Sequence, residues 1–385
     1  MSSLVTGLGG NLSNKHMRYI WQHIQTITDN YNGSVPLAHY LKGYLKQHPK
    51  LGSRDRRILS EMAYSWYRAS KGLSASLDFE EKMRQCLKLC RASSKHIETF
   101  LPLEQDEAPV FRIDQLFDNT YSFSDGIGRE EWLDSMLTQP RLFIRVQKDL
   151  QKIVEILNRH EITHDFVNET CLSLPNGAAI DKLLPEDSYV VQDASSQYTG
   201  TFFKPSKGEH WYDSCSGAGG KSLLLKDLQP DIKLTVSDKR DTILHNLHKR
   251  FKLYKHNPPA SHVVDVSDKK QLANHLGRQR YDRIICDVPC TGSGTWARTP
   301  EQLYYFDQSL LATLPALQKQ IAVNASAYLN PGGRLFYITC SVLAAENEEV
   351  VAGILSETGL KIQQQELING IGLHADSMFI TVLGN

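Results

Sequence analysis

The sequence predicts an α/β protein whose C-terminal half contains a mostly parallel β-sheet, preceded by a small α+β subdomain and an N-terminal helical domain. Strand-like and helix-like runs alternate from residue 201 onward, which is typical of a parallel sheet covered by helices on both faces. Apolar residues recur at three- and four-residue spacing between residues 16 and 101, which indicates amphipathic helices. The length of 385 residues exceeds the usual size of a single core, so more than one domain is expected.

These observations divide the chain into four predicted parts. Residues 1–101 contain runs such as MRYIWQHIQTI and LAHYLKGYLKQ, and we predict a helical domain there. Residues 102–140 mix acidic, aromatic and proline residues without clear periodicity, which indicates a connector. Residues 141–200 begin with a strand-like run and an amphipathic helix, which predicts the small α+β subdomain. Residues 201–385 hold the alternating runs of the parallel sheet.

The overall composition excludes several classes of protein. Hydrophobic residues make up 41% and charged residues 22%, as in an ordinary globular protein. No apolar run has the length of a membrane helix and no signal peptide is recognisable, so we expect a cytoplasmic protein without a membrane partner. The seven cysteines are odd in number and form no C-x-x-C pair, which indicates reduced thiols and no metal site. A monomer is the default expectation.

Charge gives a local signal rather than a global one. The 43 lysines and arginines balance the 43 acidic residues, so the net charge does not indicate a nucleic-acid partner. Segments 46–57 and 239–256 are nevertheless strongly basic. Each is either a solvated helix face or a surface that follows an RNA backbone.

A glycine-rich run, DSCSGAGGKS, lies between a predicted strand and a predicted helix. It fails the P-loop pattern at one required position, because Cys215 stands where the first glycine belongs, so a P-loop nucleotide hydrolase is only the third hypothesis. It also departs from the dinucleotide pattern, because Ser222 occupies the third glycine position. Small residues and helix N-terminal amides still favour the binding of a phosphate or a carboxylate. We therefore expect a ligand-binding loop at Cys215, Ser216, Gly217, Ala218, Gly219, Gly220 and Lys221.

Acidic residues follow the next two predicted strands. Asp238 comes about 20 residues after the loop, where a carboxylate accepts both hydroxyl groups of a ribose in doubly wound folds. Asp265 ends the following strand, within reach of an adenine amino group by the same reasoning. Either aspartate alone could simply cap a helix. Together with the loop they predict a ligand that carries a nucleoside.

Two cysteines also stand at strand ends. DVPC places Asp287 and Cys290 after one strand, and ITCS places Cys340 after the next. Ligands of doubly wound sheets bind outside the carboxyl ends of the strands, so both thiols are expected to face one site. A free cysteine is most often a small buried apolar residue, but two in this setting favour a chemical role.

These motifs carry a specific resemblance. DSCSGAGGKS, DVPCTGSG and ITCSVLAAENEE resemble the motifs of the RNA cytosine-5 methyltransferases, the family of the bacterial ribosomal RNA methyltransferase and the eukaryotic nucleolar and tRNA enzymes. The resemblance extends from Arg141 to the C-terminus, and SRDRRILSEMAYSWYR is similar to a helical RNA-binding domain that precedes some of these enzymes. It implies a Rossmann-like class I methyltransferase domain with S-adenosyl-L-methionine as the cofactor and RNA as the partner. The family's loop usually has proline where this chain has Ala218.

The resemblance also implies roles for individual residues. Cys340 would be the nucleophile that adds to carbon 6 of cytosine, and Cys290 would assist loss of the carbon 5 proton and release of the adduct. Asp287 would bind the base and contact the cofactor, with Lys221 near both. Chemistry alone does not rank the two thiols. Ribosomal RNA is the preferred substrate and tRNA the next, while a noncatalytic RNA-binding or ribosome-assembly protein on the same scaffold stays the alternative.

Overall fold

The computed structural model describes residues 8–91, 97, 101 and 110–385, with side chains from residue 15 onward. The chain folds into two compact units. The helical unit comprises the described residues up to Thr120, together with Glu130–Gln139 and Trp296–Asp307. The sheet unit comprises Tyr121–Arg129, Pro140–Thr295 and Gln308–Asn385. No helix among the described residues is long and apolar enough to cross a membrane.

The helical unit is built from amphipathic helices, as their apolar spacing predicts. Leu37, Leu41 and Leu45 recur every four residues on one helix and are all buried. Asp78 begins another helix by accepting a hydrogen bond from the Glu81 backbone N–H at 2.9 Å. The helices of this unit are α1 (Leu8–Asn30), α2 (Leu37–Gln47), α3 (Ser53–Ala69), α4 (Phe79–Leu89), α5 (Arg129–Ser135, in this unit from Glu130) and α12 (Pro300–Tyr304).

A small antiparallel sheet opens the sheet unit. Its strands are β1 (Leu142–Val146), β2 (Asp165–Phe166), β3 (Cys171–Leu174) and β4 (Tyr189–Val191), in the order β2-β3-β1-β4. Helix α6 (Leu150–Arg159) packs Ile153 and Leu157 against Ile144 and Leu172 of this sheet. Two short helices, α7 (Ala194–Tyr198) and α8 (Gly200–Phe203), lead from it to the main sheet.

The main sheet has seven strands in the order β10-β11-β9-β8-β5-β6-β7. Strands β5 to β9 pair in parallel, and β11 pairs antiparallel with both β9 and β10. This confirms the mostly parallel sheet that the sequence predicts. The elements are β5 (His210–Asp213), α9 (Gly220–Leu228), β6 (Lys233–Asp238), α10 (Asp241–Leu253), β7 (Ala260–Val263), α11 (Lys269–Leu276), β8 (Tyr281–Asp287), α13 (Leu310–Ser326), β9 (Leu329–Thr339), α14 (Glu348–Thr358), β10 (Lys361–Ile368) and β11 (Met378–Gly384).

Both faces of the main sheet are buried, because side chains alternate along each strand. In β8, Ile285 packs into the core on one face, whereas Ile284 and Cys286 pack into the core on the other. On the first face the rings of Trp211 and Phe336 stack with centroids 5.5 Å apart. These two apolar layers hold the strands in register, and with them the residues at the strand ends.

The strand order reverses between β5 and β8. From β5 the chain continues outward to β6 and β7, and β8 then lies on the other side of β5, followed by β9. The loops that leave β5 and β8 therefore diverge and open a crevice at the carboxyl ends of the strands. Asp213 and Asp287 are the last residues of these two strands.

The helical unit includes a segment that the sequence pattern does not predict to belong to it. The Leu37 backbone N–H donates a hydrogen bond to Glu301 Oε1 at 3.1 Å, and Tyr305 Oη donates one to the Tyr31 carbonyl at 2.7 Å. Residues 296–307 thus belong to the helical unit although they follow Cys290 in the chain. The four-part division of the chain stays a prediction, and residues 1–7, 92–96, 98–100 and 102–109 of its first two parts lie outside the described residues.

The loop after β8 is bonded to the end of β9 and to the start of β11. Gly294 N–H donates to the Cys340 carbonyl at 2.9 Å, and Ser377 N–H donates to the Gly294 carbonyl at 2.9 Å. A Cβ atom on Gly294 would lie 2.0 Å from the Ser377 carbonyl oxygen. Only glycine allows the three backbone segments to come this close.

We predict that Gly294→Ala lowers the free energy of unfolding by about 2–4 kcal/mol, because the added methyl group must push a backbone carbonyl aside. Thermal and urea unfolding of the purified variant measure this change. Gly372→Ala is the matched control, since a Cβ at Gly372 meets nothing within 4 Å. Equal stability of the two variants would contradict the close approach.

Candidate active site

A pocket of about 500 Å³ lies at the carboxyl ends of the parallel strands. Some of the residues that the sequence predicts for the site line this pocket, and the others lie beside it. Those that line the pocket are Cys215, Asp238, Asp265, Asp287, Cys290 and Cys340. The loop residues Ser216–Lys221 are not among the lining residues but follow Cys215 directly.

The two strand-end thiols meet in this pocket. The sulfur atoms of Cys290 and Cys340 are 3.3 Å apart. Hydrogen bonding to the Cys340 sulfur, together with burial, raises the pKa of the Cys290 thiol well above its ordinary value. The thiolate form of Cys290 is therefore disfavoured, while the 3.3 Å contact allows either sulfur to be the donor.

A buried lysine faces the carboxylate at the end of β8. Lys221 Nζ donates to Asp287 Oδ2 at 2.6 Å, and the lysine side chain is only 7% exposed. Lys221 is the second residue of α9, so the loop before this helix sets its position. The pair leaves Asp287 one-third exposed toward the pocket, at 32%.

The carboxyl group at the end of β5 is buried beneath this pair. Burial raises the pKa of Asp213 to about 7, and the charge of Asp287 acts in the same direction. Ser222 Oγ donates to Asp213 Oδ2 at 2.6 Å, and Oδ1 has no hydrogen-bond partner among the described residues. Lys221 donates its hydrogen bond to Asp287, and its positive charge lowers the pKa of Asp213 by less than burial raises it.

The glycine-rich loop takes a conformation that requires glycine. Gly217 and Gly219 have positive φ values of +51° and +80°. A Cβ atom on Gly219 would lie 2.7 Å from Leu247 Cγ, so the loop packs directly on α10. The Ser216 backbone N–H donates to the Ser237 carbonyl at 2.9 Å and ties the loop to β6.

Two side-chain contacts hold the middle of this loop. The Gly217 backbone N–H donates to Asp238 Oδ2 at 3.1 Å. Arg250 Nη1 donates to the Ala218 carbonyl at 2.9 Å. The arginine thus supports the position at which the resembling family usually has a proline.

Asp238 is engaged by a neighbouring arginine that the sequence reasoning did not single out. Arg240 donates to Asp238 Oδ1 from its backbone N–H and from Nε, both at 2.9 Å. Burial alone would raise the pKa of Asp238, but the hydrogen bonds from Arg240 hold it below its usual value. The Arg240 side chain is 57% exposed, so a ligand hydroxyl can replace it at the carboxylate.

Asp265 lies at the rim of the pocket in a short turn. Its Oδ1 accepts from the Ser267 backbone N–H at 3.0 Å and from Ser267 Oγ at 2.6 Å. This is the local capping role that any strand-end aspartate can have. The same residue lines the pocket, so the capping contact and a ligand contact are compatible.

Apolar residues complete the wall. Leu317 and Ile321, one helical turn apart on α13, line the pocket together with Val264, Val266 and Val288. Helical spacing could have placed the two α13 residues on one face, but the spacing does not say which face meets the site. A planar aromatic group fits between such side chains, while the carboxylates receive its polar groups.

The arrangement suits a nucleoside that carries a positive charge or several hydroxyl groups. Three carboxylates, Asp238, Asp265 and Asp287, stand around an apolar wall, and a pair of thiols stands at one end. Among the described residues, no group of histidine, cysteine or carboxylate side chains is placed to hold a metal ion. The polar groups that the site brings together are thiols, carboxylates and the ammonium group of Lys221.

Comparison with known sequences gives a match for the part of the chain that contains the main sheet. Residues 200–380 match the family described as 16S rRNA methyltransferase RsmB/F. The chain is 33% identical over 168 residues to the ribosomal RNA small subunit methyltransferase B of Salmonella agona, and 30% identical over 187 residues to that of Shewanella oneidensis. These matches cover 44% and 49% of this chain but only 38% and 43% of the relatives. The chain thus spans about two fifths of the length of the curated relatives it matches.

Solved structures agree with this result at the level of the fold. The crystal structure of PH0851 has a TM-score of 0.71, with 17% identity and full coverage of both chains. NSun6 from Pyrococcus horikoshii, solved with SFG, has a TM-score of 0.57 and 14% identity, covering 66% of this chain and 93% of that one. The match in sequence and the likeness in fold thus agree that residues 200–380 are similar to the family described as 16S rRNA methyltransferase RsmB/F.

Proposed function

We propose that the protein is an S-adenosyl-L-methionine-dependent RNA methyltransferase that forms 5-methylcytosine, with ribosomal RNA as its substrate. The observation that carries the proposal is the 3.3 Å approach of the Cys290 and Cys340 sulfur atoms in a pocket of an RsmB/F domain. The names of the curated relatives support ribosomal RNA, and tRNA is the second candidate. RNA bisulfite sequencing of cells with and without the gene distinguishes the two substrates.

Residues of the pocket fit the cofactor. When bound, S-adenosyl-L-methionine supplies a methyl group on a positively charged sulfur. Asp238 would hold the ribose hydroxyls in place of Arg240, and Asp265 would receive the adenine amino group. The purine would pack on Leu317 and Ile321. The methionine end would lie at the loop of Cys215, Ser216, Gly217, Ala218, Gly219, Gly220 and Lys221, near Asp287.

The two thiols would act in sequence. Carbon 5 of cytosine is a poor nucleophile until a thiolate adds to carbon 6, which divides one difficult step into easier ones. We assign this role to Cys340, as the resemblance of its ITCS motif implies, and the raised pKa of the neighbouring Cys290 thiol supports the assignment because it disfavours the Cys290 thiolate. Cys290 then stands beside the adduct, where it assists loss of the carbon 5 proton and release of Cys340.

Asp287 and Lys221 would hold the target base. The Asp287 carboxylate lines the pocket and can accept hydrogen bonds from the amino group and the protonated ring nitrogen of cytosine. Lys221 fixes the orientation of that carboxylate through its 2.6 Å contact. The base must leave any stack to reach this pair and the thiols together, so single-stranded or flipped RNA is the form that reacts.

Basic surfaces would contact the rest of the RNA. In the helical unit, segment 46–57 carries exposed lysines and arginines, and the sheet unit has a second basic segment over residues 239–256. We assign the backbone contacts to these surfaces, with the helical unit as the RNA-binding domain. The seven free cysteines suit a reducing cytoplasm, and one chain contains both proposed elements, so a monomer suffices.

Replacement of the nucleophile tests the mechanism. We predict that Cys340→Ala lowers methyl transfer by at least about 1,000-fold, because the covalent route is lost. Transfer of tritiated methyl groups to unmodified RNA measures it. Cys86→Ala, which removes a thiol from the helical unit, should keep the activity. Full activity of Cys340→Ala would refute the mechanism, and loss of cofactor binding by the intact chain would favour a noncatalytic RNA-binding protein.

Replacement of Cys290 should have a different result. We predict that Cys290→Ala still forms the bond between Cys340 and the RNA but releases it slowly, because the assisting thiol is absent. The adduct would appear as a protein band of increased mass in a denaturing gel and would vanish in the Cys290→Ala, Cys340→Ala double variant. An adduct that survives the loss of Cys340 would reverse the two roles.

The cofactor site has its own test. We predict that Asp238→Ala weakens S-adenosyl-L-methionine binding by about 10- to 100-fold, equivalent to the loss of one or two hydrogen bonds to a charged group. Isothermal titration calorimetry gives the dissociation constant. Asp241→Asn is the matched control, because Asp241 is exposed and does not line the pocket. Unchanged affinity of Asp238→Ala would remove this residue from the site.

A further inference from the structure

A carboxylate that does not line the pocket lies buried behind the Cys290 loop. Glu346 is 0% exposed and ends a single helical turn, Ala344–Glu346, a few residues after Cys340. The groups that donate hydrogen bonds to its side chain are all uncharged. Burial of a carboxylate without a cation costs several kcal/mol unless strong hydrogen bonds offset it. The position therefore calls for an explanation beyond packing.

The hydrogen bonds of Glu346 go to the residues around Cys290. Oε1 accepts from the Thr291 backbone N–H at 2.8 Å, and Oε2 accepts from Thr291 Oγ1 at 2.5 Å. Oε1 also accepts from Gln318 Nε2 at 2.8 Å, and the same Nε2 donates to the Pro289 carbonyl at 3.0 Å. The residues on both sides of Cys290 are thus held through one carboxylate.

The same turn also holds the residues around Cys340. Asn347 Nδ2 donates to the Ser341 carbonyl at 2.9 Å, and Thr339 Oγ1 donates to Asn347 Oδ1 at 2.5 Å. Tyr337 Oη donates to the Glu346 carbonyl at 2.6 Å and joins the turn to β9. Neighbouring residues of one turn, 346 and 347, therefore position the flanks of both cysteines.

Glu346 acts on Cys290 through its charge as well as through its hydrogen bonds. The Cys340 sulfur and burial are the main causes that raise the pKa of Cys290, and the negative charge of Glu346 adds to them. The carboxylate thus helps to raise the pKa of the Cys290 thiol. Glu346 touches neither the pocket nor the other sulfur, so its influence passes through the Cys290 loop.

We propose that Glu346 is a positioning residue that acts through Thr291 and Gln318 and holds Cys290 against Cys340. By doing so, Glu346 sets the rate at which the RNA adduct is released. The inference rests on the proposed function. It assigns Glu346 no contact with the cofactor or with RNA. A residue of this kind changes the turnover rate and leaves the binding of both substrates as it was.

Once the methylated adduct has formed, Cys290 gives its proton to solvent and then accepts the proton from carbon 5. The electron pair of that C–H bond forms the C5–C6 double bond, and the bond between C6 and the Cys340 sulfur breaks with its pair returning to sulfur. Cys340 leaves as a thiolate beside a protonated Cys290, which is the starting arrangement.

Glu346→Gln tests the proposal with little change in shape. The amide keeps one acceptor oxygen, but its NH₂ group cannot accept the hydrogen bond of Thr291 Oγ1. We expect kcat to fall by about 10- to 100-fold, the KM values for S-adenosyl-L-methionine and RNA to stay within about twofold, and the Cys340-linked adduct to accumulate in a denaturing gel. Glu348→Gln is the matched control, because its carboxylate accepts from Ser124 Oγ and not from the Cys290 loop.

A double variant separates positioning from general stability. In a Cys290→Ala background, Glu346→Gln should slow adduct release no further, since the thiol it positions is absent. If Glu346→Gln does not fold, Thr291→Val replaces it: this isosteric change removes the Oγ1 donor and should give the same adduct with a fall in kcat of about 3- to 10-fold.

The outcomes are distinct. Absence of both methylation and adduct in the natural protein would overturn the proposed function. Methylation by the natural protein, combined with adduct release at the natural rate in Glu346→Gln or in its substitute Thr291→Val, would overturn only the role of Glu346. An equal further loss in the Cys290→Ala background would also contradict it, because the residue would then act independently of Cys290.

Discussion

The structure of the site depends on the contact between two sulfur atoms. Cys290 and Cys340 belong to loops that follow neighbouring parallel strands, and their sulfur atoms can come within 3.3 Å only if the two backbones approach closely. Gly294 makes this possible because its N–H bonds to the Cys340 carbonyl where a larger residue would collide with Ser377. The apolar cores on both faces of the sheet hold β8 and β9 in register, so the carboxyl ends of the two strands lie side by side. The chemistry of the thiols is thus a consequence of backbone spacing.

Electrostatics then gives the two thiols different properties. The pair lies in a pocket bordered by three carboxylates, and a further buried carboxylate, Glu346, stands behind Cys290. The contact with the Cys340 sulfur and burial raise the pKa of Cys290, and the negative charge of Glu346 adds to them. The buried ammonium group of Lys221 donates to Asp287 Oδ2 at 2.6 Å. A symmetrical pair of cysteines in the sequence becomes an unsymmetrical pair in the fold.

Much of the site was predictable because of a general property of parallel sheets. Polar residues at the carboxyl ends of consecutive strands must meet at one edge, so Asp238, Asp265, Asp287 and the two cysteines could be placed together without coordinates. The supporting contacts could not be predicted. The contact of Arg250 with Ala218 and the apolar wall from α13 depend on how helices pack across the sheet, which periodicity does not encode. The pairing of Asp238 with Arg240 was open to sequence reasoning, since the two residues are close in the chain.

The sequence by itself determined the mostly parallel sheet and the reactive groups at its strand ends, because these follow from hydrophobic periodicity and from short motifs read locally. Only the tertiary structure decided that the two sulfur atoms lie 3.3 Å apart, how Glu346 holds the flanks of Cys290, and that residues 296–307 fold with the helical unit. Such contacts join residues that are dozens to hundreds of positions apart. Their energies depend on distance and burial in three dimensions, and neither quantity is written in the local pattern of the chain.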